Sequence, residues 1–282
     1  TSANWTNGVP SATKDAILGD ANFSGSNQPT VDKTSSCKSI SIGGTVATTL
    51  TASKNRTVSG DLLINANGVI SQGKPSLSLT GSWTNNNTYS YSNNNARVIF
   101  AGVAQSINGS SVTAFRKLTV NTGSTLTMNV DFTTNNVFTV NGTINPNTPT
   151  TYTVSPNSMT LNSGGKLLVY ASTFTGNYST NPTVNSGSTV EYASTLINQT
   201  VSSSLTYATL IISGTTVKSL AANLPALRST ASSQGNIFVK GGTFDLLTYT
   251  ANRGTSTTGG NFNIDNGATV KIGGTNGFPS NY

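Results

Sequence analysis

The feature that most constrains this chain is a beat: two apolar residues spaced two apart, returning at a nearly constant interval. Leu77-x-Leu79, Val98-x-Phe100, Leu118-x-Val120, Phe138-x-Val140 and Met159-x-Leu161 follow one another in this way, with turn formers between them. Leu62-x-Ile64, Val190-x-Tyr192, Leu210-x-Ile212, Ile237-x-Val239, Phe262-x-Ile264 and Val270-x-Ile272 extend the pattern. Each pair sets two side chains on one face of a strand. The turn formers include Asn67-Gly68, Asn108-Gly109, Asn141-Gly142, Gly164-Gly165 and Asn266-Gly267. The nearest thing to a helical stripe, Leu220 to Leu227, is interrupted by Pro225. The chain reads as all-β.

A longer period lies over the short one. Phe115-x-x-Leu118-x-Val120 returns as Tyr207-x-x-Leu210-x-Ile212. Phe174-Thr175-Gly176-Asn177-Tyr178 returns as Phe278-Pro279-Ser280-Asn281-Tyr282. Self-similarity of this kind marks a stacked array. Asn-Gly turns would also suit hairpins in a sandwich. The short beat favours an elongated parallel β-helix (β-solenoid) with rungs of roughly 20 residues. Tyr170 to Ser188 and Ser229 to Gly235 do not fit the beat and are expected to loop out of the coil. The whole of 1–282 is expected to form one elongated segment, with a unit start in 1–60 and internal repeats around 97–178 and 189–282. Because the chain ends on half of a repeat unit, we expect it to be a fragment of a longer one.

Composition agrees with an ordered β protein of unusual surface. Only 8% of residues are charged, against about 25% in an ordinary domain. Thr, Ser, Asn and Gly take their place, while alternating Val, Ile and Thr with 9 Tyr and 10 Phe argue against disorder. The net charge of +7 hints at an anionic partner such as an acidic polysaccharide or a lipid head group, the alternative being a mildly basic, solvated surface. The basic residues are scattered, with no run longer than Arg116-Lys117, so nucleic acid is not expected. Cys37 is the single cysteine and sits in an alternating run, which predicts a small buried residue and no disulfide within the chain. No stretch reads as a membrane span.

The chemistry of catalysis is thin. There is no histidine, which removes the commonest general base. The acids are Asp15, Asp20, Asp32, Asp61, Asp131, Glu191, Asp245 and Asp265, and none lies within four residues of another. Asp245 and Asp265 are separated by close to one rung and are the candidates for a pair across turns. No acidic calcium loop and no phosphate-cradling loop occurs, so no metal, cofactor or catalytic residue is expected. For sugar contact the candidates are Tyr89 and Tyr91, two same-face tyrosines between Asn85-Asn86-Asn87 and Asn93-Asn94-Asn95. The alternative for both is a rung with one face buried. Trp5 and Trp83 read as packing residues.

Three stretches resemble the repeat regions of large secreted Bacteroidota surface proteins exported by the type IX secretion pathway. They are Trp5-Thr6-Asn7-Gly8-Val9-Pro10 with Asp15-Ala16-Ile17-Leu18-Gly19; Gly81-Ser82-Trp83-Thr84-Asn85-Asn86 with Val98-Ile99-Phe100-Ala101-Gly102 and Gln105-Ser106-Ile107; and Thr243-Phe244-Asp245-Leu246 through Arg253 to Lys271-Ile272-Gly273-Gly274-Thr275-Asn276. The resemblance implies an extracellular, adhesin-like β-solenoid acting as stalk or fibre, with partners among surface polysaccharides or neighbouring copies of itself. It implies no membrane insertion by this segment. The rival expectation is a carbohydrate-binding or carbohydrate-processing module of a secreted polysaccharide-degrading enzyme.

Overall fold

The computed structural model describes residues 9–282 except 25, 74, 75, 275 and 276. Trp5 and the rest of the opening motif before Val9 lie outside the described residues, as do Thr275 and Asn276. The chain is an all-β parallel β-solenoid of about twelve turns with rungs of about 21 residues. It divides into two compact units, 1–138 and 139–282.

In the first unit the first four turns visit three sheets in the same order. The first sheet holds Ala16–Leu18, Ile40–Ile42, Leu62–Ile64, Trp83–Asn85, Ala104–Asn108 and Thr125–Met128. The second holds Thr30–Val31, Thr48–Ala52, Gly68–Gln72 and Thr88–Tyr91. The third holds Ser35–Cys37, Arg56–Val58, Ser76–Leu79, Arg97–Phe100 and Lys117–Val120. Pairing is parallel and in register turn on turn: Leu62 stands beside Trp83, Val98 beside Leu77 on one side and Leu118 on the other. The short-period apolar pairs therefore stack into columns, with Val58, Leu79, Val98, Phe100, Leu118 and Val120 all buried. Each such side chain contributes about 1.5–3 kcal/mol by leaving water. Trp83 is fully buried, as expected of a packing residue, and its indole nitrogen donates to Thr113 Oγ1 at 3.1 Å.

The second unit is built the same way. Six strands form one parallel ladder: Thr143–Asn145, Lys166–Val169, Thr189–Tyr192, Thr209–Ile212, Asn236–Val239 and Phe262–Ile264. Gln199–Val201, Val217–Leu220, Thr243–Asp245 and Thr269–Lys271 form a second ladder. The segment from Tyr170 to Ser188, expected to loop out, stays within the coil, because its large side chains fold inward: Thr183–Val184 pairs in parallel with Thr160 and Leu161, and Tyr178 bridges to Val154. Its single helical turn, Phe174–Asn177, buries Phe174 and Asn177, and Tyr178 beside it is also wholly buried. Asn177 Oδ1 accepts from the Tyr170 and Ala171 N–H groups at 2.8 Å, closing the excursion at its base. The excursion at 229–235 is held by Arg253, which is 1% exposed and donates from Nε to Gln234 O and from Nη2 to Ala231 O.

Asparagines at the corners stitch successive turns together. In the first unit Asn129 Nδ2 donates to Asn108 Oδ1 at 2.7 Å. In the second, Asn162 donates to Asn141 and Asn185 to Asn162, each at 2.8 Å. This is the amide ladder that in-register parallel stacking permits, and it accounts for the Asn-rich turns that the sequence shows.

Candidate functional site

The strand Thr88–Tyr91 carries both tyrosines singled out in the sequence. Its register sets Tyr89 beside Ile70 and Tyr91 beside Gln72. Tyr89 is 8% exposed, with its ring 5.1 Å from Trp83 and 5.6 Å from Phe115. Its hydroxyl donates to Gln72 Oε1, and burial pushes its ionisation well up. Tyr89 therefore offers no ring face to a sugar, because the same alternation that pairs it with Tyr91 turns it into the core. Tyr91 is half-buried at the end of the strand. Its hydroxyl accepts from Asn135 Nδ2 at 2.6 Å, and the Arg116 guanidinium lies 6.0 Å from its ring centre.

Around Tyr91 the corner between the second and third sheets of the first unit is basic and amide-rich. Arg116 Nη1 donates to Asn135 O at 2.7 Å, while its Nε is buried without a partner. Lys117 Nζ donates to Asn95 Oδ1 at 3.0 Å. Arg97, exposed, stands in register with Lys117 on the next strand.

The acids do not converge. Asp245 pairs in register with Lys271, while the strand that ends at Ile264, just before Asp265, pairs with Val239. The local turn runs from Phe244 to its register partner Val270, which is longer than the stretch from Asp245 to Asp265, so the two carboxylates do not stack. Asp245 Oδ1 accepts from Leu247 N, a residue with φ of 50°, which makes it a turn cap. Asp15 and Asp61 likewise accept backbone N–H groups, from Ser39 and Ser82 of the following turns. Glu191 pairs with Lys166 and accepts from Ser213 Oγ at 2.6 Å. Among the described residues no three Cys, Asp or Glu side chains come together as a metal site would require.

Cys37 is buried as expected, and burial raises its thiol ionisation, with Arg56 opposing. A cavity of about 150 Å³ opens beside it, lined by Val9, Ala16, Leu18, Val31, Cys37 and Arg56 among others.

A recurrent polar device escaped the sequence reading. Gln105 Nε2 donates to Leu79 O at 3.1 Å and Gly81 O at 2.5 Å, while its Oε1 accepts from Gly102 N at 2.6 Å. In the second unit, Gln199 Nε2 donates to Val169 O at 2.9 Å and Ala171 O at 2.8 Å, and its Oε1 accepts from Ser194 N at 3.0 Å. Leu79 is the register partner of Phe100 and Val169 that of Tyr192, so each glutamine ties the corner after its own apolar strand to the matching corner of the turn before. Lys218 follows Gln199 in the same column and takes over its role. Its Nζ donates to Ser194 O at 2.8 Å, and to Thr216 O and Thr216 Oγ1 at 3.2 and 2.9 Å. Lys218 is fully buried, and the loss of water pulls its ionisation down to about 8. The signal for the device was in the sequence: Gln105-x-Ile107 and Gln199-x-Val201 each follow a Val-x-aromatic pair and a small residue.

No protein-family model matches this sequence, no curated protein matches it, and no solved structure matches its fold, so the architecture stands on the chain's own register and packing.

Proposed function

We propose that this chain is a structural, adhesive segment of a secreted bacterial cell-surface protein, non-catalytic itself, whose coil provides reach and display. The observation that carries this reading is the way polar groups are used. Backbone donors of one turn are taken up by the next, corner asparagines bond to each other, and Asp15, Asp61 and Asp245 are committed to backbone N–H groups. Such a stack grows by one strand spacing of about 4.8 Å per turn, and its stability is a sum of neighbour terms, which lets a repeat lengthen without redesign. The resemblance to secreted Bacteroidota repeat regions, carried by Trp83 with Gln105-Ser106-Ile107, supports the same reading and a cell-surface location.

Antibody raised against the purified segment tests it. Intact, unpermeabilised cells of the source organism should be labelled, and the segment should release no reducing ends from a panel of polysaccharides. Labelling that requires permeabilisation, or measurable release of sugar, would overturn the proposal.

A further inference from the structure

In the first unit most of the acids lie away from the corner between the second and third sheets, while most of the cations lie at it; Lys14 and Lys38 are the ones that sit with Asp15 and Asp61. Asp15 and Asp61 lie between the third sheet and the first, and Asp20 and Asp131 follow strands of the first. Of the five acids in residues 1–138 only Asp32 lies at the corner between the second and third sheets, and residues 62–130 contain none. That same corner carries Lys54 and Arg116, with Arg97 and Lys117 heading the strands that leave it. Lys54 and Arg97 are exposed and make no ion pair among the described residues, and Arg116 makes none either. Asn95 accepts from Lys117, Asn135 accepts from Arg116, and the half-buried Tyr91 ring lies under Arg116.

We propose that this corner is a binding track for an acidic polysaccharide, a uronan carrying one carboxylate per sugar. Parallel stacking sets Arg97 and Lys117 one strand apart, about 4.8 Å, with Lys54 two turns before Arg97. A single file of cations suits a single polymer strand with regularly spaced carboxylates. Duplex nucleic acid, with one charge per about 1.7 Å of axis, calls for a broader and denser basic face. A membrane surface calls for apolar anchors beside the cations, and here the neighbours are asparagines. Side-chain amides are groups that hydrogen-bond sugar hydroxyls. The track deepens the display role proposed above by naming a ligand class, and binding by the purified chain is measured apart from where the chain resides.

The test is affinity electrophoresis of the chain in gels containing polygalacturonate, with neutral dextran as the uncharged control. The triple variant K54A/R97A/K117A should bind polygalacturonate about tenfold more weakly. The charge-matched variant K38A/K240A/K271A should change it by less than about twofold, since those lysines are exposed elsewhere. Circular dichroism should show both variants folded. Equal weakening by the two triples would reduce the effect to net charge and overturn the track. So would retention by dextran equal to that by polygalacturonate, tighter binding of oligothymidylate than of polygalacturonate, or no retention at all.

Discussion

Lys218 offers the sharpest test of how the coil is held together. It is fully buried, its three acceptors are two carbonyls and a hydroxyl, and burial lowers its ionisation from 10.5 to about 8. The folded chain therefore gives up the proton at a lower pH than the unfolded chain does. Between pH 8 and 10.5 the unfolded state binds more protons, so stability rises with pH in that window. At about 1.36 kcal/mol per pH unit, the gain from pH 7 to 9.5 is about 2 kcal/mol. Buried Tyr178 and Tyr207, whose ionisation is pushed up, oppose this as pH approaches 10, because their unfolded forms ionise first. The comparison is therefore made against Lys218→Met, in which the tyrosine contribution is common to both proteins. Urea unfolding followed by circular dichroism at pH 7, 8, 9 and 9.5 gives the difference in stability. We expect wild type to gain about 2 kcal/mol on the variant across that range. A difference flat to within a few tenths of a kcal/mol would mean that water reaches the ammonium group, and that Lys218 does not stand in for glutamine as a buried clamp.

Gln199→Ala should cost about 2–3 kcal/mol in urea unfolding, because it orphans the Ala171 carbonyl and the Ser194 N–H together and leaves Val169 O with the Ala193 N–H alone. Gly260→Ala should destabilise by more than about 2 kcal/mol, since φ is 78° and a Cβ would come within 2.6 Å of the Arg253 side chain. Gly123→Ala, at φ of 79° with open space around it, should cost only about 1 kcal/mol, and equal melting shifts for the two would refute the close-packing account of Arg253. Tyr89→Ala should lose about 3–5 kcal/mol by opening the cluster with Trp83 and Phe115, whereas Tyr91→Ala should lose less than about 1 kcal/mol; thermal melts that rank them the other way would reverse the placement of the two rings.

The sequence by itself determined the class of fold and the pitch of its turns. Val98, Leu118 and their counterparts recur at the length of one turn because a parallel stack puts each turn's inward positions directly over the last, so the core writes its period into the chain. Trp83 and Cys37 were legible for the same reason, being apolar or weakly polar at inward positions. What the sequence left open was decided by register. The longer repeat was visible, yet in the first unit its opening strand Arg97–Phe100 belongs to the third sheet. In the second unit, Thr189–Tyr192 belongs to the six-stranded ladder. The segment from Tyr170 to Ser188 departs from the beat, and only packing decided that Phe174 and Tyr178 fold inward. Asp245 and Asp265 matched the average turn length but not the longer local turn from Phe244 to Val270, so they separated. Tyr89 and Tyr91 shared a face on paper, and the neighbouring turns decided that one ring meets Trp83 while the other stays under Arg116. The track of cations could not be read from a linear string of scattered lysines and arginines. It exists because one corner of the coil returns every turn, and stacking makes neighbours of residues that lie a whole turn apart in the chain.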